Sequence, residues 1–261
     1  MRIDFTHKTA LVTGAAQGIG KAAAAVFAQC GANLILCDKN MDKLLISAKE
    51  IEQSGVQVLP LEADVSKRED LENMINKAVR RFGQIDILLN CAGICPTAKV
   101  VDLSIDEWDL VLDVNLKSIF MLSQLVARHM IEKQIKGKIV SVSSQASKIG
   151  EYGIAAYCCS KAGVNAFTQV LAQELAEHGI TVNAVCPGSV FTEMQQELFI
   201  TRSSLEGITP EEYKNKVDSK IPWGRMAKPE EVGEFMAYLA SDHAEYITGV
   251  ALTIAGGSTL I

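Results

Sequence analysis

The sequence predicts one α/β domain: a mainly parallel, seven-stranded sheet, doubly wound with helices on both faces. Three observations carry that expectation. Short apolar runs of strand length recur along the 261 residues, each followed by an amphipathic stretch. The runs are apolar almost continuously instead of at alternate positions, as strands covered on both faces are. A glycine-rich turn, Thr13-Gly14-Ala15-Ala16-Gln17-Gly18-Ile19-Gly20, joins the first run to the first amphipathic stretch.

In chain order, the expected strands are residues 10–13, 33–37, 57–61, 85–89, 137–142, 181–185 and 250–254. The first helix, 18–29, opens on the glycines, and helices at 42–54 and 68–82 separate the next three strands. A long helix, 105–133, precedes the fifth strand, and a helix at 157–177 precedes the sixth. That helix ends near His178-Gly179, where a glycine can take the left-handed cap and histidine meets the negative end of the dipole. A last helix, 229–239, leads to the seventh strand. Between them, residues 191–223 are polar and break the alternation, with one helix start at Thr209-Pro210-Glu211-Glu212. An excursion of that size reads either as a mobile cover over a site or as surface helices without a role. No linker, repeat or change of composition divides the chain, so residues 1–261 are read as one unit.

Bulk properties narrow the classes of function. The chain is 48% hydrophobic and 21% charged, which suits a packed core and excludes a disordered chain. Net charge is -6 and no basic stripe is present, so nucleic acid is not an expected partner. The N-terminus runs into the first strand without a signal-like apolar core, and the apolar runs look too short to span a bilayer. A cytoplasmic protein without a membrane partner is expected. The seven cysteines and four histidines show no metal-ligand spacing, so no metal is expected. Cys30, Cys37 and Cys186 read as core residues, while Cys91, Cys95, Cys158 and Cys159 lie near the candidate site. There, a nucleophilic thiol stands beside the alternative of simple burial.

The glycine turn is the first functional signal. Gly14 permits a turn that side chains obstruct, and Gly18 and Gly20 let the backbone approach a pyrophosphate at the helix N-terminus. The spacing departs from Gly-x-Gly-x-x-Gly, and glycines alone also make ordinary tight turns. The deciding companion is Asp38, eighteen residues beyond Gly20 at the end of the second strand. A carboxylate there binds both ribose hydroxyls of an adenosine and repels a 2′-phosphate. With neutral Gln17 before Gly18 and no arginine nearby, NAD is favoured over NADP; Lys39 is the one residue placed to compensate a phosphate. Together these features point to a Rossmann-type dinucleotide site.

Downstream, Tyr157 and Lys161 stand four apart and share a helix face. An ammonium beside a phenol favours the phenolate and lowers its pKa from about 10, which makes Tyr157 a candidate acid/base for a hydroxyl or carbonyl. Ser144, at a strand end, can hydrogen-bond the same oxygen. Gln145, Lys148 and Glu151 follow it, either as contacts for a polyhydroxylated substrate or as solvated loop residues.

In order and spacing, these motifs resemble the short-chain dehydrogenase/reductase family nearly end to end. Thr13 to Gly20 looks like its glycine turn, Asp64-Val65 like its adenine-contacting pair, and Asn90-Cys91-Ala92-Gly93 like its Asn-Asn-Ala-Gly, with Cys91 in place of the second Asn. Asn115 falls at the family's catalytic-site Asn, Ser144 keeps the family's spacing to Tyr157, and Pro187-Gly188-x-Val190-x-Thr192 resembles the nicotinamide-side loop. The resemblance implies a hydride exchanged between nicotinamide and a substrate carbon. Tyr157 would move the proton, Ser144 orient the oxygen, and Lys161 hold the ribose and keep Tyr157 acidic. Asn115 would bend its helix to seat a water leading from Lys161 to solvent. Taken one at a time, Ser144 also fits a turn residue and Asn115 an exposed helix residue.

Residues 194–226 look like those of polyol, sugar and acetoin dehydrogenases, with Met194 at the substrate mouth. The expected substrate is therefore a small alcohol or ketone, most simply a sugar alcohol, sugar or diol. The alternatives are a 3-oxoacyl carrier-protein reductase, a hydroxysteroid dehydrogenase kept open by Met194, Leu198 and Phe199, and an NAD-sensing module without turnover. Phe120, Met121, Leu122, Phe167 and Val170, with the apolar end at 251–261, read as surface for a homotetramer or homodimer, or else as internal core.

Overall fold

The computed structural model describes residues 2–260. Seven strands form one parallel sheet in the order β3-β2-β1-β4-β5-β6-β7. They are β1 Thr9–Thr13, β2 Asn33–Asp38, β3 Val58–Glu62, β4 Ile87–Asn90, β5 Lys138–Val142, β6 Thr181–Pro187 and β7 Ala251–Ile254. Neighbouring strand residues serve opposite faces. Val12, Leu34, Leu36, Leu89 and Val140 join a core with Phe27 and Met236, while Leu11, Ile35, Leu88 and Ile139 join a second core with Leu122 and Leu171. Each fully buried side chain of this size contributes about 1.5–3 kcal/mol, which is why both faces must be covered.

The first face carries α1 (Gly18–Gln29), α2 (Met41–Ile51) and α9 (Pro229–Ala240). Helices α1 and α9 meet at Gly233, where a Cβ would stand 2.9 Å from the Ala23 Cα. The second face carries α3 (Arg68–Phe82), the long helix before β5, and α6 (Ala155–Leu175). After α6 a short turn ends at Gly179, φ 69°, the left-handed cap that the sequence suggests.

The long helix is not uniform. It divides into α4 (Ile105–Leu112), a π-helical turn (Asp113–Lys117) and α5 (Ser118–Glu132). By length and composition alone, Ile105–Glu132 is apolar enough to cross a membrane, a test that core helices also pass; half of its apolar window is packed inside the fold. Met121 and Leu122 follow the internal-core alternative, because they fill the chain's own core. Phe120 and Val170 stay 44% and 53% exposed, and Phe167 meets the Phe120 ring edge-on at 6.1 Å.

Residues 191–223 form two helices, α7 (Glu193–Glu206) and α8 (Pro210–Asp218). The predicted start of α8 is a full capping box: Thr209 Oγ1 accepts from the Glu212 N–H, and the Glu212 carboxylate accepts from the Thr209 N–H at 2.8 Å. Helix α7 falls in the stretch read as a cover or as surface helices, where the sequence marks no start for it. Its N-cap is Thr192, and Phe199 packs with Tyr213, Ile221 and Met226 in a small core of its own.

Candidate active site

The C-terminal strand ends converge where the strand order reverses, between β1 and β4, the place at which open α/β sheets bind ligands. The Thr13 hydroxyl accepts the Cys91 and Ala92 N–H groups at 3.1 and 3.2 Å, which joins the two ends. Asn90 donates to Ser123 and Ser141, so strand-stabilising hydrogen bonds persist with Cys91 in the motif. Gly14 and Gly18 have φ of 65° and 57°, and a Cβ on Gly18 would lie 3.5 Å from the Thr192 methyl. The glycine turn and the 187–192 loop therefore face each other across a cleft.

The Asp38 carboxylate is tied to that turn, accepting from the Ala16 N–H at 3.1 Å and the Asn40 N–H at 3.0 Å. Lys43 Nζ holds the Gln17 side chain at 3.0 Å, a cation the sequence reading overlooked; Lys39 is exposed. Asp64 caps the turn into α3 through Ser66, and Val65 is buried. This bare-backbone cleft, with a carboxylate at its far end, fits a dinucleotide.

At the other end, Asn115 is fully buried in the π-helical turn. Its Oδ1 accepts from the Ile94 N–H at 2.8 Å, and its Nδ2 donates to the Ile94 carbonyl at 2.9 Å and Ser160 Oγ at 3.2 Å. The widened turn thus sews the loop after β4 to α6, and the exposed-residue reading of Asn115 fails. A π-turn adds one residue without breaking the helix, which re-aims a side chain inward. Gly93 lies between Asn115 and Lys161: a Cβ there would meet Asn115 Oδ1 at 3.3 Å and Lys161 Nζ at 3.6 Å.

Tyr157 and Lys161 do share one face of α6, with Lys161 Nζ 5.5 Å from the Tyr157 ring centre. Lys161 is 3% exposed, and its ammonium donates to the Val142 carbonyl at 2.7 Å. Burial pushes its pKa down to about 8. Burial also pushes the Tyr157 phenol well above its usual range, against a lowering hydrogen bond from Ser144. The expected lowering by Lys161 is therefore not what the protein alone produces. Desolvation of the phenolate is the largest cause, and it outweighs the hydrogen bond from Ser144. Ser144 Oγ also accepts from the Ala146 N–H at 3.1 Å, the turn role it was given as an alternative.

Ser144 and Tyr157 line a cavity of about 450 Å³ together with Pro187, Gly188, Val190 and Thr192. Gln145, Glu151 and Met194 line it too, and Leu198, Arg202 and Tyr213 roof it from α7 and α8. Lys148 does not: its ammonium turns to the Ala251 carbonyl and Thr253 hydroxyl of edge strand β7, each at 3.0 Å. Cys95 lines the cavity, but burial pushes it and Cys91 up to about 12, which removes the nucleophilic thiolate at neutral pH. The sequence reading missed Arg202, because the pairing that brings it to Glu151 spans 51 positions.

Residues 8–203 match the family model described as short chain dehydrogenase. The chain belongs to the short-chain dehydrogenase/reductase family. It is 41% identical over 257 residues to a 3-oxoacyl-(acyl-carrier-protein) reductase of Thermotoga maritima, covering 98% of this chain and 99% of the relative. It is 39% identical over 257 residues to an NAD-dependent glycerol dehydrogenase of Listeria innocua, covering 98% and 96%. Among solved structures, an actinorhodin polyketide ketoreductase with NADPH superposes with a TM-score of 0.94 at 34% identity, covering 97% of this chain and 98% of that one. As a short-chain dehydrogenase/reductase, the protein is an NAD(P)-binding oxidoreductase acting on CH–OH groups.

Proposed function

We propose that this enzyme is an NAD-dependent dehydrogenase that interconverts a secondary alcohol and a ketone on a small polyhydroxylated substrate: a sugar alcohol, sugar or diol. One observation carries the reading. The Ser144–Tyr157 pair opens into a cavity whose wall is polar where Gln145, Glu151 and Arg202 line it. The similarity to a glycerol dehydrogenase agrees with it. A second reading, reduction of 3-oxoacyl thioesters, is favoured by the 41% identical reductase and the ketoreductase fold match. Against it stand Asp38 and the charged groups an acyl chain would have to dehydrate.

Gly14, Gln17, Gly18, Ile19 and Gly20 would hold the pyrophosphate, with Asp38 on the adenosine ribose and Asp64-Val65 near the adenine. Asn90, Ala92, Gly93, Lys161 and the 187–192 loop would hold the nicotinamide half. Bound nicotinamide supplies or accepts the hydride. Ser144 holds the substrate oxygen, and Tyr157 passes the proton between its phenol and that oxygen. Lys161 offsets charge on the phenolate, and Asn115 fixes the loop beside Lys161. Helices α7 and α8 act as the cover. Seven unpaired thiols fit the reducing cytoplasm.

A plate screen of sugar alcohols, vicinal diols, hydroxysteroids and 3-hydroxyacyl thioesters, read as NADH formation, tests the function. Polyols or diols as the best substrates are expected; thioesters alone would select the second reading. Asp38→Asn should raise the NADP/NAD preference ratio at least tenfold, about 1.4 kcal/mol, by removing the charge that opposes a 2′-phosphate. A wild-type preference for NADP would overturn the role of Asp38.

The exposed apolar residues Phe120 and Val170 on adjacent helices, and the open edge of β7, support a homodimer or homotetramer. The last residue of the apolar end, 261, lies outside the described residues. Light scattering at micromolar concentration should give two or four times the monomer mass. Phe120→Glu should shift it toward the monomer.

A further inference from the structure

The geometry points to Glu151 and Arg202 as a substrate selector: an ion pair in the cavity wall that takes a second hydroxyl of the substrate and commits the site to vicinal diols and polyols. The inference rests on the proposed small-polyol activity and names the residues that would impose it.

Arg202 reaches down from α7, with Nη1 3.1 Å from Glu151 Oε2 and Nη2 2.7 Å from the Tyr152 carbonyl. Its guanidinium stands 5.7 Å from the Tyr213 ring centre. The second carboxylate oxygen of Glu151 accepts from Gln145 Nε2 at 3.1 Å. Gln145 cannot turn its amide over, since that would set its oxygen against the Glu151 carboxylate; its Oε1 faces the Ser258 and Thr259 hydroxyls, both at 3.0 Å. The pair is therefore held from both sides. Its side chains are only 15% and 22% exposed, and both residues line the cavity that Ser144 and Tyr157 share.

Charge and valence decide what this wall recognises. A guanidinium carries five N–H donors and a carboxylate about four lone-pair sites, so both keep capacity after the bonds above. A hydroxyl can donate to the carboxylate and accept from the guanidinium at once. An anionic group gains from Arg202 but meets Glu151 on the same guanidinium. An alkyl chain displaces water from both charges and returns no hydrogen bond, the costliest outcome for a largely buried pair. Sites of this kind discriminate against an analogue lacking the hydroxyl by up to about 10⁴-fold.

The test uses the full-length enzyme with saturating NAD and compares kcat/KM for 2,3-butanediol, 2-butanol and 3-hydroxybutyrate. Wild type should favour the diol over the monoalcohol by about 10²-fold or more. In Arg202→Met and Glu151→Gln, the diol should fall at least about tenfold further than the monoalcohol, and Arg202→Lys should recover part of the preference. Thermal melting and NADH fluorescence titration report whether fold and cofactor cleft survive. A wild-type ratio near one, or parallel losses on both alcohols, would make the pair a structural tie between α7 and its loop and sink the selector. A preference for 3-hydroxybutyrate that Arg202→Met abolishes would replace it with an anion site. A wild type that reduces 3-oxoacyl thioesters and oxidises no alcohol would bring down the proposed function itself.

Discussion

Tyr157→Phe should lower turnover in both directions by about 10²–10⁴-fold, the range that positioned proton transfer supplies, while the NAD dissociation constant stays within about twofold. The substitution deletes one oxygen from a ring that otherwise keeps its place on α6. Lys161 meets that ring 5.5 Å from its centre and bonds elsewhere, to the Val142 carbonyl, so its position does not depend on the phenol oxygen. The pH profile adds a second readout. Burial raises the Tyr157 pKa, so the free enzyme holds the phenol protonated at neutral pH, ready to donate during ketone reduction. Alcohol oxidation needs the proton to leave. Its kcat/KM should therefore rise with pH, with a log slope near one, and the slope should vanish in the variant. A Phe variant that keeps most of its activity would assign the proton to another group.

The parts of this molecule that depend on local pattern were legible in the sequence. All seven strands lie within one or two residues of the apolar runs, because a strand buried on both faces must be apolar throughout. The start of α8 was legible because a capping box closes within four residues. What escaped depends on distant partners. Helix α7 has a weak apolar stripe, and Phe199 finds its core only when Tyr213 and Ile221 fold back over it. The π-turn at Asn115 answers to Ile94 and Ser160, neither of them local. Lys148 beside the Ser144 motif looks like a cavity residue until β7 supplies a carbonyl for it. The roles of Tyr157 and Lys161 were suggested by their spacing, but the sign of the Tyr157 shift was not. Spacing reveals which charges are neighbours and says nothing of how much water has been removed from them.

That same loss of water makes Lys161 an energetic burden, which gives Lys161→Met the second large effect. Turnover should fall at least about a hundredfold, because the phenolate loses its offsetting cation. Stability should move the other way. The folded-state pKa of Lys161 is about 8 against 10.5 for an unperturbed lysine, so the unfolded chain binds the proton more tightly. Below pH 8 both states are protonated and the fold bears the whole cost of the buried charge, on the order of 3 kcal/mol at 1.36 kcal/mol per pKa unit. Wild-type stability then rises with pH between about 8 and 10.5, as the folded lysine loses its proton first. Methionine matches the chain length without the charge, but strands the Val142 carbonyl, at a cost of about 1–3 kcal/mol. The balance at pH 7 is a gain of about 1 kcal/mol, or about 2–4 °C in melting temperature for a chain of this size. Melting curves at pH 7 and pH 10 should show that advantage shrinking as the wild-type lysine becomes neutral. A Met variant less stable than wild type at pH 7 would mean that the site stabilises the ammonium. The lysine would then be held by its surroundings, and not strained by them in the service of Tyr157.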